Sequence, residues 1–418
     1  MSSSSSVIRL ACNVNNYHWG KHGLHSKAAQ FAATNPGVTI EESQTYAELW
    51  MGTHPSGPSK VFGTDTPLSS IIGQNPEQNL GAEVSHKFDR QLPFLFKVLS
   101  IEKALSIQAH PDKKLAQKLF AERPAVYKDG NHKPEMSIAL TDFVAMSGFR
   151  PLDEIAAFIG EYPEFAALVK ESAEAFVSAA KQGDDAEKRA QLKALFAELM
   201  NAQAEDVQAQ LDVLLARVAP GTDPLDISAD ALVHRLNAEY PGDVGVFCVF
   251  MLNVLKLVPG DAFFMGPNDP HAYIFGDCIE CMATSDNVVR AGLTPKLRDV
   301  PVLVDMLTYD YGTPEGKLLR PVPFAETRHS LVYDPPIDEF SVVRTALAPA
   351  QAEAVAPLDG PQILLAVEGK GRLLVPADAD EAYELLPGHV YFVRAGTDVV
   401  IKADEGSDLV TYSALCLA

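Results

Sequence analysis

Cysteine is scarce in this chain: five residues in 418, namely Cys12, Cys248, Cys278, Cys281 and Cys416. An odd, scattered set excludes a disulfide framework and suits a reducing cytoplasm, the compartment expected here. Cys278-Ile-Glu-Cys281 lacks the second pair that a zinc ribbon needs, so two buried strand cysteines are expected instead. Positive charge is also in short supply, with 34 Lys and Arg against 55 Asp and Glu and a net charge of −21. Nucleic acid and anionic membranes would repel such a surface, so neither is an expected partner. No apolar run approaches the length of a bilayer span. Met1 and the serines Ser2 to Ser6 have neither the basic nor the apolar region of a signal peptide, and a frayed tail is expected there. There is no heptad seam, which excludes coiled-coil assembly and leaves a monomer or a weak homo-oligomer.

What is present is an ordinary globular composition, 47% hydrophobic, in a chain longer than one core usually serves. Texture divides it. Residues 1–150 mix short β-like runs with turn residues. From 151 to 241 the sequence is rich in Ala, Glu, Gln and Leu. There Phe165, Leu168, Val169, Ala173 and Phe176 trace one apolar helical stripe, and Leu192, Leu195, Phe196 and Leu199 another. Gly183-Asp184-Asp185 and Pro220-Gly221-Thr222-Asp223-Pro224 are the breaks between helices. After Gly245 the β texture returns, with strands expected over Val246–Asn253 and Val254–Val258. From 331 to 418 short strands alternate with Pro/Gly turns, including 363–367, 371–375, 389–393 and 398–402, the pattern of a β-sandwich or jelly roll. The expected class is therefore mainly β with an all-α insertion: a β domain in two segments, 1–150 and 242–330, interrupted by helices over 151–241 and followed by a second β domain over 331–418.

Four segments could carry chemistry. Ser106-Ile-Gln108-Ala-His110 ends a strand-like run that begins near Phe94, and alternation places Gln108 and His110 on one face. Alone, that histidine reads as a packed strand residue. His132-Lys133-Pro134-Glu135 sets an imidazole, an ammonium and a carboxylate side by side, with Pro134 holding Lys133 extended. In isolation it is an exposed charged turn. Pro259-Gly260-Asp261 leads through a short apolar strand and the Gly266-Pro267 turn to His271 and Tyr273. This is the cadence of a second cupin motif, in which a small barrel delivers a histidine to a metal. Gln108, His110, Glu135 and His271 would then form an N/O donor set without thiolate, which permits zinc and also Mn, Co or Fe. The loop from Thr284 to Lys296 concentrates Asp286, Arg290 and Lys296. It would suit a phosphate or a developing oxyanion, or it is a surface loop in which Asp286 pairs with Arg290.

Taken together these segments resemble the type I phosphomannose isomerases. The matching stretches are Tyr17-His-Trp-Gly20, Glu48-Leu-Trp-Met-Gly-Thr-His-Pro55, Leu92-Pro-Phe-Leu-Phe-Lys97, Leu105 to Asp112, His132 to Glu135, Gly266 to Tyr273 and Glu280 to Lys296, in the family's order. Beyond Lys296 the likeness is one of texture. The resemblance implies a zinc-dependent cupin enzyme, with one Zn2+ per chain, that interconverts mannose 6-phosphate and fructose 6-phosphate through a cis-enediol. It implies Gln108, His110, Glu135 and His271 as zinc ligands and Arg290 as an active-site arginine. Lys97, Ser106, Lys133, Tyr273, Glu280, Asp286 and Lys296 match other pocket positions, and Lys97, Ser106, Tyr273 and Lys296 are expected to bind substrate. Lys133 is expected in proton transfer, His132 in ring opening, and Glu280 or Asp286 as alternative carboxylate bases. Lys97, Lys133, Arg290, Lys296 and the metal are expected to form one cationic pocket within an acidic surface. Two other readings compete: an isomerase of a related phosphosugar such as glucose 6-phosphate, and a cupin that binds sugar phosphate or metal as a sensor without turnover.

Overall fold

The computed structural model describes residues 5–417, with 378–381 described at the backbone. Antiparallel sheets dominate, and a block of helices runs from Leu152 to Glu239. Mainly β with a helical insertion is therefore the observed class. No helix among the described residues is long and apolar enough to cross a membrane.

Among the described residues, a ten-stranded sheet carries the motifs, an eight-stranded sheet gathers most of the C-terminal strands, and a four-stranded sheet covers one face of the latter. One strand organises the first of these. His271–Ala283 is thirteen residues long and changes partners along its length. Its beginning pairs with Phe143–Phe149 and with Gln108, whereas its later part pairs with Phe94–Ile101 and Glu135–Ala139. Gly276 marks the change, with φ +113°; a Cβ there would lie 2.5 Å from the Asp142 carbonyl oxygen. Glycine is required because the bend and the close backbone approach coincide.

The two β units share a core. Phe94, Phe96 and Val98 of the first sheet are buried in one cluster with Ile363, Leu365 and Phe392 of the second. The strand Val7–Ala11 lies in the C-terminal sheet, between Val390–Val393 and Lys60–Val61. The chain's first strand thus belongs spatially with its last ones.

In the insertion, both apolar stripes are on the buried side: Phe165, Leu168, Val169 and Phe176, then Leu192, Leu195, Phe196 and Leu199. The first stripe is split between Pro163–Leu168 and Ala173–Gln182, so it spans two helices. Asp184 caps the helix that follows, accepting from Glu187 N–H, as its place after a glycine suggests.

Three expectations need correction. Val246–Asn253 is not a strand. Val244–Phe250 is a 3-10 helix capped by the Asp243 side chain, and the strand begins at Leu252. A fully buried apolar run has no polar face to reveal its period. The strand begun at Phe94 stops at Ile101 and resumes only over Ile107–Ala109. The tail expected to be frayed lies outside the described residues as far as Ser4, and Ser5 and Ser6 are anchored. Ser5 Oγ bonds the Val7 carbonyl and the Tyr383 hydroxyl, and the Ser6 carbonyl accepts from Arg394 N–H. All five cysteines are free and buried, including Cys278 and Cys281, for which burial in a strand was expected.

Candidate active site

Three elements bring three ligand-type side chains together. His110 follows the strand Ile107–Ala109, Glu135 opens Glu135–Ala139, and His271 opens His271–Ala283. Their donor atoms lie within 4.8 Å of one another, and all three residues are buried. The imidazoles are oriented from behind. His110 Nδ1 is 2.6 Å from the Asn287 carbonyl oxygen and His271 Nδ1 is 3.1 Å from that of Asp269. A carbonyl can only accept, so each Nδ1 carries the hydrogen and each Nε2 presents a lone pair. Those two Nε2 atoms face Glu135 Oε2 at 3.4 and 3.2 Å. None of the three atoms has a hydrogen-bond partner.

The short His–Glu distances could be read as ion pairs with protonated histidines. Burial argues otherwise for His110, whose pKa is pushed down to about 4. Burial opposes ionisation of Glu135, yet Lys133 and the two histidines hold its carboxyl well below the usual range. Three converging acceptors with no donor among them need a cation, and the two-imidazole, one-carboxylate set fits a divalent transition metal. Gln108 is a strand neighbour of this cluster. It lies opposite His271 on one side and Arg290 on the other, so Arg290, Gln108 and His271 form one cross-strand row.

Around this centre the charges are mostly paired. Lys133 Nζ bonds Glu135 Oε1 at 2.8 Å. Lys97 lies opposite Glu280 and bonds it at 2.9 Å, with Glu48 at 3.5 Å on its other side and the Trp50 ring 5.1 Å away. Burial raises the Glu280 carboxyl above its usual range against the pull of Lys97, while burial is outweighed at Lys97 itself, where Glu280 and Glu48 raise the pKa and keep the ammonium charged. Tyr273 donates to Glu280 at 2.8 Å; its phenol is raised well above the ordinary value, by burial first and the carboxylate second. Arg290 is the exception. Half-buried, it makes no ion pair or hydrogen bond through its guanidinium among the described residues, and desolvation lowers its pKa.

Comparison with known proteins fits this geometry. Family models for type I phosphomannose isomerase match at residues 7–152 (catalytic domain), 168–252 (helical insertion domain) and 330–376 (C-terminal). A mannose-6-phosphate isomerase of Cryptococcus neoformans is 47% identical over 431 residues, covering 97% of this chain and 98% of its own. The Homo sapiens enzyme is 42% identical over 420 residues, covering 98% and 99%. The chain belongs to the type I phosphomannose isomerase family. Solved structures agree. A mutant phosphomannose isomerase from Salmonella typhimurium superposes with TM-score 0.83 at 31% identity, covering 99% of this chain and 100% of that one. A mannose 6-phosphate isomerase bound with zinc and yttrium gives 0.79 at 32% identity, covering 98% and 99%.

Not every pocket position expected from this isomerase family meets the centre. Asp286 is half exposed and faces His54 Nε2 at 3.4 Å rather than Arg290; the contact with His54 depresses its carboxyl. His132 turns to Glu339, in the second β unit. Ser106 is half-buried, two residues before Gln108. Lys296 is exposed, and among the described residues nothing ties its ammonium to the cluster. Of the four cations expected to form one pocket, Lys97 and Lys133 are neutralised in pairs, while among the described residues half-buried Arg290 and exposed Lys296 have no ion-pair partner.

Glu48, Asp129 and Glu339 have places around the site that no sequence motif assigned to them. Glu48 stands in an otherwise apolar strand, Glu48–Met51, and a charge in such a place was the available signal. Asp129 gathers Asn131 N–H, Ser285 Oγ and Asp286 N–H at 2.8 Å each, and its carbonyl accepts from Asn287 Nδ2 at 2.7 Å. It thereby fixes the residue whose carbonyl orients His110.

Proposed function

We propose that the chain interconverts mannose 6-phosphate and fructose 6-phosphate as a zinc-dependent aldose–ketose isomerase. One ion per chain would be held by Gln108, His110, Glu135 and His271. The observation that carries this reading is the convergence of three lone-pair atoms, with Arg290 in the same cross-strand row as His271, in a chain of this family. When bound, zinc supplies positive charge that polarises sugar oxygens and holds them in one orientation.

The chain's own residues then divide the work. The sugar ring must open, a proton must leave C2, and one must reach C1 through a cis-enediol. His132 opens the ring. Lys133, held against Glu135, moves the proton between C2 and C1. Glu280, which burial makes easier to protonate, and Tyr273 move or hold a hydroxyl proton. Arg290 answers the negative charge that develops on the enediolate oxygen or is carried by the phosphate. Lys97, Ser106 and Lys296 are assigned to substrate binding, and Asp286 to the rim with His54.

The test is turnover of both mannose 6-phosphate and glucose 6-phosphate in solvent deuterium, with metal content measured before and after chelation and zinc restoration. Deuterium entering C1 or C2 of mannose 6-phosphate, lost on chelation and regained with zinc, is the expected result. Binding without exchange would make the protein a sensor instead. Lys133→Ala with near-parent turnover and full metal content would remove Lys133 from proton transfer.

A further inference from the structure

His132 Nε2 and Glu339 Oε1 lie 2.5 Å apart, joining the loop that carries Lys133 and Glu135 to a turn of the second β unit. Both side chains are largely withdrawn from water, at 20% and 14% exposure. The turn is held independently of His132. Asp338 pairs with Lys87, the Asp338 carbonyl accepts from Cys416 Sγ, Phe340 is buried in the shared core, and Ser341 Oγ donates to Asp334. The carboxylate is therefore the fixed partner, and the imidazole is the group it orients. Because a carboxylate accepts, Nε2 carries a hydrogen, and the neutral imidazole then presents its lone pair at Nδ1. Among the described residues nothing bonds Nδ1.

We propose that Glu339 is a positioning residue, fixing His132 so that Nδ1 is the atom that transfers the proton in sugar ring opening. This rests on the isomerase reading. The second β unit thereby contributes a group to the reaction. In the step, the O1 hydroxyl of the cyclic hemiacetal gives its proton to Nδ1. The O1–C1 bond becomes the carbonyl, the C1–O5 bond breaks, and the proton passes from Nδ1 to O5. Atoms balance, and no outside reagent is needed. Glu339 stabilises the imidazolium that exists between the two transfers, as a carboxylate does behind any imidazole base.

The experiment uses the zinc-loaded full chain, with Glu339→Gln and Glu339→Asp. It reads kcat and KM for mannose 6-phosphate, α/β anomer exchange by NMR, Tm, and the His132 tautomer by 15N-histidine spectra assigned with His132→Asn. Glu339→Gln should lower kcat and anomer exchange together by roughly 10-fold or more, since a general base must be correctly held. KM and Tm should stay near parent values, and the preference for Nε2–H should be lost. Glu339→Asp should recover part of the rate. Parent-like anomer exchange in Glu339→Gln overturns the proposal, as does a loss that follows Tm with the tautomer unchanged. A parent protein that exchanges anomers yet makes no fructose 6-phosphate would sink the isomerase reading and leave the Glu339–His132 assignment standing.

Discussion

Asp112 and Asn268 clasp one another. Asp112 N–H donates to Asn268 Oδ1 at 3.2 Å, and Asn268 Nδ2 donates to Asp112 Oδ2 at 3.0 Å. Asn268 N–H also bonds the His110 carbonyl at 2.7 Å. The clasp therefore ties the segment that delivers His110 to the one that delivers His271. Asn268 sits at φ +64°, a conformation asparagine tolerates better than most residues.

Asn268→Gly keeps that backbone conformation and removes the clasp, while Asp112 still caps the helix Lys113–Glu122 through Leu115 N–H. Zinc affinity should fall by roughly 10-fold, the scale expected when support behind metal ligands is lost. A competition titration against a chelator measures it; unchanged affinity would show that the two loops hold their geometry without the clasp.

Arg290 should separate stability from activity. An uncompensated, partly desolvated cation gains no stability from charge pairing in the free protein, so Arg290→Met, which keeps the packed stem, should leave Tm at or above the parent value. Turnover should drop by roughly 100-fold or more through loss of charge stabilisation. Thermal unfolding and a coupled assay on the same preparation suffice. A fall in Tm alongside activity would mean that the guanidinium has a structural partner.

Removing metal should cost stability as well as turnover, because Glu135 Oε2 and the two Nε2 atoms are left without a donor. Tm of the chelated protein should rise with added zinc in the concentration-dependent manner of a ligand that binds only the folded state. Glu135→Gln should flatten that dependence. A Tm indifferent to zinc would mean that these atoms do not bind it.

Glu164 predicts a pH dependence for the insertion. It is buried and accepts two hydrogen bonds from Arg217 at 2.8 and 2.9 Å, and these, against burial, lower its pKa. A depressed carboxyl contributes stability above its unfolded pKa, about 4.3, and that contribution is lost as pH falls through the lower folded value. Arg217 is 41% exposed, so the contribution is about 1 kcal/mol or less. Urea unfolding at pH 7 and at a pH below the lowered folded value should show Glu164→Gln destabilised at the first and indistinguishable from the parent at the second.

The cluster of His110, Glu135 and His271 was legible only when its segments were taken together: alone, the first two read as a packed strand histidine and a charged turn, and the cupin-like cadence before His271 and the family resemblance joined them. The helical block was readable from its period, as Leu192 to Leu199 show. What could not be read depends on distant partners. Nothing around Glu339 points to His132, 207 residues away. Nothing around Asp129 points to Asn287, since the hydrogen bonds exist only once the loops have met. Val244–Phe250 escaped for a different reason: a segment with every residue buried carries no alternation to read.

The place of Val7–Ala11 in the sheet has a consequence in time. Its partner Val390–Val393 is among the last strands a ribosome makes. Until then the early strand has only Lys60–Val61 beside it, and one edge waits unpaired through most of synthesis. Closure joins residues remote in sequence and so carries a large loop entropy, which makes completion of this sheet a late step in folding. A fusion that sequesters the first strand would then be felt at the opposite end of the chain.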